Sequence, residues 1–473
     1  MLTLETGSLV LTFSEETGVL HGLKSKITGW DILGAGRGRE SESDRGEGDG
    51  RENGASERGL SWKILLPLSD ELRNNHILGE KQKLSSYEAR PGELVLKWDG
   101  AASERGGEHD IGVALTVRAD GAAAVFAIEI DNRSGYVVEN VYCPCLINLA
   151  PPEGAKKLSA FFDNYATGCE APIWPHFQSN IGYFGTDCPT QIPHGMGHPS
   201  VPFVLLRAEA QGLCMGVWSG SAERPDADFL NADFLNWIGE LRPGYESSID
   251  QRAPEGGSIA GKPAEIRYSA LHAPYIQPGE RRALAPVALA AYEGGWQDGV
   301  DIYKEWRQGW MKPAVAPGWA REPHAWLQPH VNSPEDELRM RFAELPKVAE
   351  ECLKYGVAAI QLVGWNDGGQ DQGNPSHEPD PRLGTFEELR RAIGECQGMG
   401  VKIILFAKFI WADRGTKWFR DELKDLACTD PYGDYYLFGG YKYQTGTQLL
   451  DINTKRLIPM CFNSDYPARR KRA

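Results

Sequence analysis

The sequence predicts two successive domains of different class: an antiparallel β sandwich, then an α/β domain with parallel strands. Three observations support this prediction. The 473 residues exceed the usual size of a single hydrophobic core. Short strand-like segments separated by Gly and Asp turns fill roughly residues 1–295. From residue 323 onward, strand-like and helix-like segments alternate, which is typical of parallel strands joined by helical crossovers.

The composition is that of a globular protein with an acidic excess. Hydrophobic residues make up 41% of the chain, charged residues 24%, and the formal net charge is −15. Such a field repels nucleic acids and anionic lipid surfaces, so we expect no nucleic-acid or membrane partner. The first residues lack the pattern of a signal peptide, which predicts a cytoplasmic location. The nine cysteines are scattered without zinc-site spacing, so we expect reduced thiols, no metal and no cofactor.

The first domain is predicted over residues 1–295. Leu9, Leu11 and Phe13 alternate with other residues at strand periodicity. Similar patterns predict strands at residues 62–66, 94–98, 113–117, 124–130, 201–206 and 214–218. Residues 36–59 consist almost entirely of Gly, Arg, Glu, Ser and Asp, which predicts a flexible insertion with little to bury, or alternatively an interaction segment.

The domain boundary is predicted over residues 296–322. Residues 296–310 have apolar side chains at helical spacing, among them Tyr303 and Trp306. The segment that follows contains Pro313, Pro317 and then Pro323, which indicates a stiff linker.

The second domain, predicted over residues 323–458, begins with a short apolar strand at residues 325–328. Ser333 is expected to cap the next helix, with Pro334 at its first position and Asp336 in a capping-box-like pair. Pro346 is expected to kink that helix and Gly356 to end it.

Two further strands and a second helix complete the predicted α/β pattern. Strands are predicted at residues 357–363 and 401–406, and between them Thr385 and Glu388 form a capping box for a helix that ends at Gly400. Both a doubly wound sheet and a (β/α) barrel fit this pattern. Long polar loops after the strands favour the barrel, because barrel enzymes carry their sites at the carboxyl ends of the strands. No Gly-x-Gly-x-x-Gly motif follows a strand, which argues against a dinucleotide-binding fold.

The loop after the second strand carries the most informative chemistry. It contains Trp365, Asp367, Glu378 and Asp380. An aromatic face and carboxylates together are suited to stacking on a pyranose and binding its hydroxyls, so we predict that these residues bind a saccharide. The alternative is that the aspartates only form turns and caps.

Three residues at the ends of the other strands are further candidates for saccharide binding. His330 follows the first strand, and Lys408 and Trp411 follow the third. His330 is equally typical of a structural histidine, and Lys408 of a solvated charge. A second aromatic cluster at residues 161–198 is predicted either to wall a saccharide pocket or simply to pack in the first domain.

The motifs WNDGG, LGTFEELRRAI and GVKIILF resemble those of bacterial glycoside-hydrolase-like proteins, a family carried as a domain of unknown function and loosely related to the α-galactosidase clan. The opening segment, LETGSLVLTFSEETGVLHGL, and the helix WQDGVDIYKEWRQGWMKP are similar to the same proteins. The resemblance implies an N-terminal β-supersandwich followed by a (β/α)8 TIM barrel, and a glycoside hydrolase that takes a saccharide as substrate.

The chain departs from that family after its third parallel strand. The resemblance places the catalytic nucleophile at the end of a fourth barrel strand and the acid/base later, so the nucleophile is expected beyond residue 473 and the catalytic residues stay unidentified. An eight-stranded barrel needs about 250 residues, more than follow residue 323. Residues 459–473 form an irregular basic tail. We therefore expect an incomplete barrel in a truncated product.

Two other functions remain open from the sequence. A non-catalytic carbohydrate-binding protein would use the same aromatic and polar residues without a catalytic pair. An isomerase or aldolase barrel is a weaker alternative, because the sequence contains neither a Schiff-base lysine context nor a phosphate-binding glycine loop. The oligomeric state does not follow from the sequence.

Overall fold

The computed structural model describes residues 1–33, 61–68, 74–164, 167–174, 190–191, 203–218, 236–243, 258–259, 262–311, 315–322, 325–333, 336–369, 373, 377–407, 411–427, 435 and 457–459. The chain divides into two compact units, Met1–Pro313 and Ala314–Ala473. The predicted insertion at residues 36–59 and nearly all of the predicted basic tail lie outside the described residues.

The first unit is built from strands and one helix. Its elements in chain order are β1 (Leu2–Glu5), β2 (Leu9–Phe13), β3 (Leu20–Ser25), β4 (Lys63–Leu65), β5 (His76–Leu78), β6 (Ser86–Arg90), β7 (Glu93–Ser103), β8 (Gly107–Asp120), β9 (Ala123–Asn132), β10 (Asn140–Leu146), β11 (Leu158–Asn164), β12 (Thr167–Trp174), β13 (Thr190–Gln191), β14 (Phe203–Ala208), β15 (Gln211–Val217), β16 (Asn236–Pro243), β17 (Ser258–Ile259), β18 (Lys262–His272), β19 (Arg281–Ala283), β20 (Val287–Glu293) and α1 (Trp296–Gln308).

The strands pair antiparallel throughout, which confirms the antiparallel class predicted for this part of the chain. Strands β1, β2 and β3 form a small meander. The other strands form one continuous sheet in the order β12–β11–β14–β15–β20–β9–β8–β7–β5–β4–β10–β18–β16–β13. Strand β6 pairs with β7, β17 with β18, and β19 with β9.

One face of this sheet encloses a hydrophobic core. In β8, alternate residues such as Val113 and Leu115 are buried in it, as the two-residue period of a strand requires. Trp62 and Trp98 meet edge to face inside it, with ring centroids 5.3 Å apart. The meander belongs to the same core, and the backbone N–H of Ala291 in β20 donates to Ser8 Oγ just before β2 at 2.9 Å.

Helix α1 covers part of the opposite face of the sheet. Its Tyr303 packs against Phe203, with centroids 4.9 Å apart, and its Trp306 stacks on Trp218 at 5.3 Å. A Cβ at Gly299 would lie 2.7 Å from the Tyr292 ring, so glycine permits this close approach of helix and sheet. The predicted helix at residues 296–310 is confirmed to within two residues.

The second unit contains a three-stranded parallel sheet with two helices on one face. Its elements are α2 (Gly318–Arg321), β21 (Trp326–Leu327), α3 (Leu345–Lys354), β22 (Ala359–Leu362), α4 (Phe386–Gly398), β23 (Lys402–Leu405), β24 (Trp411–Asp413) and β25 (Leu457–Pro459). Strands β21, β22 and β23 are parallel, as predicted, whereas β24 pairs antiparallel with β25. Ile360 and Leu362 of β22 pack against α3 and α4.

The predicted helix start at Ser333 is wrong. Helix α3 begins only at Leu345, after a 3₁₀ turn at Phe342–Glu344. Pro346 therefore lies in the first turn, where its missing N–H costs no hydrogen bond, and it kinks nothing. Asp336 has φ +67°, a left-handed conformation that an α-helix excludes.

The start of α4 was predicted correctly. The backbone N–H of Thr385 donates to Glu388 Oε2 at 2.7 Å, and the backbone N–H of Glu388 donates to Thr385 Oγ1 at 3.2 Å. This reciprocal pair is the capping box read from the sequence. No helix in the described part of the chain is long and apolar enough to cross a membrane.

Candidate site at the carboxyl ends of the parallel strands

The loops that leave β21 and β22 touch one another. A parallel bridge between His330 and Val363 extends the pairing of the two strands beyond their ends. The next residue, Gly364, has φ +74°, and a Cβ there would lie 2.2 Å from the carbonyl oxygen of Asn332. Only glycine fits this approach, which brings the two loops together at the edge where parallel α/β sheets carry their sites.

Arg382 connects these loops through two carboxylates. Its Nη2 donates to Asp380 Oδ2 at 2.7 Å and to Asp336 Oδ1 at 2.9 Å, and its Nε donates to Asp380 Oδ1 at 3.0 Å. Asp380 is fully buried, whereas Asp336 is half exposed. The arginine thus joins the loop after β21 to the loop after β22.

The electrostatic balance at Asp380 favours the ionised carboxylate. Burial alone would raise its pKa, but the hydrogen bonds and the charge of Arg382 outweigh burial and hold the pKa below its ordinary value. The same contacts raise the pKa of Arg382. Asp380 is therefore a charged, structurally engaged group rather than a proton donor.

Asn332 completes the network. Its Nδ2 donates to Asp336 Oδ1 at 3.1 Å and lies 3.4 Å from Asp380 Oδ2. The side chain is fully buried, and its Oδ1 has no hydrogen-bond partner within the described part of the chain. The amide therefore orients both carboxylates that Arg382 holds. Asn332 was not among the predicted residues, since a lone asparagine after a strand carries no distinctive signal.

Asp367 and Glu378 lie side by side on two segments of the second loop. The backbone N–H of Asp367 donates to the carbonyl of Glu378 at 2.7 Å, next to a bridge between Asn366 and Pro379. Both carboxylate side chains are exposed. Of the acidic residues predicted to bind a saccharide, these two are the ones that face solvent.

Trp365 occupies a different environment from the one expected of a stacking surface. It is only 7% exposed, and its Nε1 donates to the carbonyl of Phe406 at 2.9 Å. His377 stacks on its ring at 6.0 Å with an interplanar angle of 22°. Protein contacts therefore take up most of the indole surface.

His330, Lys408 and Trp411 are the other residues predicted to bind a saccharide. His330 is half-buried at the exit of β21. Lys408 lies outside the described residues, and Trp411 is described only as a backbone position in β24. Asp413, at the end of β24, is buried and accepts from the backbone N–H groups of Gly373 at 3.0 Å and Gly415 at 2.7 Å. It ties the second loop to the turn after β24.

The described residues contain no group of three or more His, Cys, Asp or Glu side chains that could hold a metal ion.

Of the aromatic cluster predicted at residues 161–198, Phe162 is buried in the core of the first unit and Phe161 lies partly exposed beside α1. Most of the other members lie outside the described residues.

Several solved glycosidase structures align with this chain. An α-N-acetylgalactosaminidase from Bifidobacterium bifidum, in a complex with Gal-NHAc-DNJ, aligns with 98% of this chain at 11% identity and a TM-score of 0.60. The ligand-free form of that enzyme aligns at 12% identity and a TM-score of 0.56. This chain spans 65% of the first of these structures and 66% of the second. At such identities, the likeness is one of fold.

A GH36 α-galactosidase from Geobacillus stearothermophilus also aligns, over 97% of this chain and 60% of its own, at 11% identity and a TM-score of 0.47. That score is too low for any conclusion about this protein. The sequence matches no protein-family model and no curated protein sequence.

Proposed function

We propose that this protein is glycoside-hydrolase-like and binds a saccharide at the carboxyl ends of β21 and β22. The observation that carries the proposal is the pair of exposed carboxylates, Asp367 and Glu378, on a loop in which the exposed Arg382 binds the buried Asp380. Exposed carboxylates whose backbone is held by hydrogen bonds suit the recognition of hydroxyl groups, because less conformational entropy is lost when the ligand binds.

The fold supports the same class of ligand. The similar enzyme from Bifidobacterium bifidum is an α-N-acetylgalactosaminidase and has been solved with GalNAc. A shared fold does not by itself imply a shared activity. We therefore propose a hexose or N-acetylhexosamine as the ligand class, and treat hydrolysis as a separate question.

We further propose that the parallel sheet is the first part of a (β/α) barrel. Three parallel strands with helices on one face, and polar loops at their carboxyl ends, support this architecture. The corresponding domains are a β domain over residues 1–295, a linker over 296–322, a partial barrel over 323–458 and a tail over 459–473.

The proposed roles follow from exposure and bonding. Asp367 and Glu378 accept hydrogen bonds from ligand hydroxyls, and His330 contributes from the neighbouring strand. Asp380 keeps Arg382 and the loop in place. Glycoside hydrolysis needs two carboxylates on either side of the scissile bond. Asp380 and Asp413 are committed to structural hydrogen bonds, so neither is suited to that chemistry.

Isothermal titration calorimetry of the protein with GalNAc and with galactose tests the binding site. We expect binding by the wild type and a loss of roughly tenfold or more in affinity for Asp367→Asn, because a charge-assisted hydrogen bond is worth about 1.5–3 kcal/mol. Glu350→Gln on the exposed side of α3 is the matched control and should bind as the wild type does. An Asp367→Asn variant with unchanged affinity would remove this loop from the site.

Hydrolysis of aryl glycosides distinguishes the two forms of the proposal. Turnover that is reduced in Asp367→Asn supports a hydrolase. Binding of GalNAc or galactose without turnover supports a non-catalytic carbohydrate-binding protein. The absence of both binding and turnover would contradict the proposal in either form.

A further inference from the structure

An exposed aromatic pair lies on the first unit, where α1 begins. The indole of Trp296 stacks on Phe161 with centroids 5.3 Å apart and an interplanar angle of 23°. Trp296 is 41% exposed although its ring is supported by a second ring. A flat apolar surface is therefore held in a fixed orientation toward solvent.

The sheet places charged side chains around this pair. Phe161 in β11 lies directly opposite Glu170 in β12 and Leu205 in β14. Residues that lie opposite each other on neighbouring strands share a face of the sheet, and so do residues two apart on one strand. Arg207 is two residues beyond Leu205. The side chains of Phe161, Glu170 and Arg207 therefore project on the same side of the sheet. The guanidinium carbon of Arg207 is 5.9 Å from the Phe161 ring centre.

Glu170 lies near two cationic side chains, Lys157 and Arg207. Glu170 lies 3.2 Å from Lys157 Nζ and 3.9 Å from Arg207 Nη1. The 3.9 Å separation is a charge contact rather than a hydrogen bond, so both groups retain capacity to bind hydroxyls. Charged hydrogen-bonding groups beside a flat ring suit a ligand with both an apolar C–H face and many hydroxyls.

We infer that Trp296 and Phe161, with Arg207 and Glu170, form a second binding platform for a saccharide. A pyranose ring stacks on the outer face of Trp296, and Arg207 and Glu170 bind hydroxyls at its edge. The platform lies wholly within the first unit and does not depend on the proposed site in the second unit. It binds a chain of sugars and has no assigned catalytic role.

Electrophoresis of the native full-length protein in gels containing galactomannan, arabinogalactan, xylan or amylopectin tests the platform. We expect at least one of these polysaccharides to retard the wild type. Trp296→Ala should raise the dissociation constant about five- to tenfold, the usual consequence of losing one aromatic stacking contact. Trp319→Ala, which removes another exposed tryptophan, should leave retardation unchanged.

A second variant separates the loss of the flat ring from a loss of folding. Trp296→Leu keeps an apolar side chain over Phe161, so the thermal midpoint should stay near that of the wild type while retardation falls as it does in Trp296→Ala. Retardation of Trp296→Leu equal to the wild type would overturn the inference, as would a wild type that none of the four polysaccharides retards.

Asp367→Asn, run on the same gels, distinguishes the two sites. Retardation that survives in Asp367→Asn and is lost in Trp296→Ala supports an independent platform, whatever the outcome at the carboxyl ends of the strands. The reverse pattern would overturn the platform and leave the proposed site in the second unit standing.

Discussion

Asp367 and Asp380 belong to one loop and have the same side chain, yet their surroundings give them different roles. Asp380 is fully buried and held by Arg382, whereas Asp367 is exposed next to Glu378. From the sequence, both aspartates were predicted to bind a saccharide, because composition and spacing indicate the chemistry of a residue but not its hydrogen-bond partners. The hydrogen bonds from Arg382 give Asp380 a structural role, whereas the carboxylate of Asp367 remains exposed to solvent.

The lowered pKa of Asp380 predicts a pH-dependent contribution to stability. A carboxyl group whose pKa is lower in the folded state stabilises the fold above its unfolded pKa, about 3.9, and loses that effect as the pH falls through its folded pKa. In urea unfolding, the gap in unfolding free energy between wild type and Asp380→Asn should stay constant above about pH 5 and narrow below about pH 4.

Arg390→Met is the control for that measurement. Arg390 and Glu387 form an ion pair on α4 in which both side chains are more than 70% exposed, and such a pair contributes little. The unfolding free energy of Arg390→Met should therefore depend on pH as that of the wild type does. A gap between wild type and Asp380→Asn that persists unchanged to pH 3 would contradict the role assigned to Asp380.

The surroundings of Trp365 could not be predicted from the sequence. An aromatic residue at the end of a strand, followed by Asp and Gly, fits a sugar-stacking position. The structure instead surrounds the indole with His377 and the carbonyl of Phe406. These two residues are 12 and 41 positions away, and no local pattern links them to Trp365.

Among the elements, the two predicted capping boxes had opposite outcomes for a physical reason. Thr385 and Glu388 bond to each other's backbone and begin α4. Around Ser333, the same kind of pattern begins no helix, because the Asp336 carboxylate is bound instead by Arg382 and Asn332. A local motif decides the start of a helix only when no distant group competes for its side chains.

Replacement of the α4 cap should lower the stability of the second unit measurably. Thr385→Ala removes the oxygen that accepts the N–H of Glu388, and the loss of a Thr cap costs about 1 kcal/mol of unfolding free energy. For a unit of this size, the melting midpoint should fall by roughly 2–4 °C in calorimetry. Thr385→Ser keeps the hydroxyl and should melt within about one degree of the wild type. Equal midpoints for the Ala and Ser variants would show that the cap contributes nothing.

In the large sheet, the positions of the strands were predicted from the sequence better than the pairing between them. The predicted strands within β2, β4, β7, β8 and β9 agree closely with the structure, because each depends on a local two-residue period. The order of strands in the large sheet was not predicted. Pairs such as β10 with β18 join segments more than 120 residues apart, and no local pattern encodes them.

The division into two compact units predicts two unfolding transitions. Leu115→Ala, in the core of the first unit, should lower one transition by an amount corresponding to roughly 2–5 kcal/mol. Thr385→Ala should lower the other. Differential scanning calorimetry of the full chain and both variants measures this separation. A single transition that both substitutions lower together would contradict independent unfolding.

The hydrogen bond between Ser8 and Ala291 has a consequence for how the protein is made. Residues separated by 283 positions meet in the folded unit, so the segment around β2 emerges well before β20, the strand that it contacts. At typical synthesis rates of about 5–20 residues per second, that delay is on the order of 15–60 seconds. During it, the apolar residues of β2 lack the rest of the core that buries them in the folded unit.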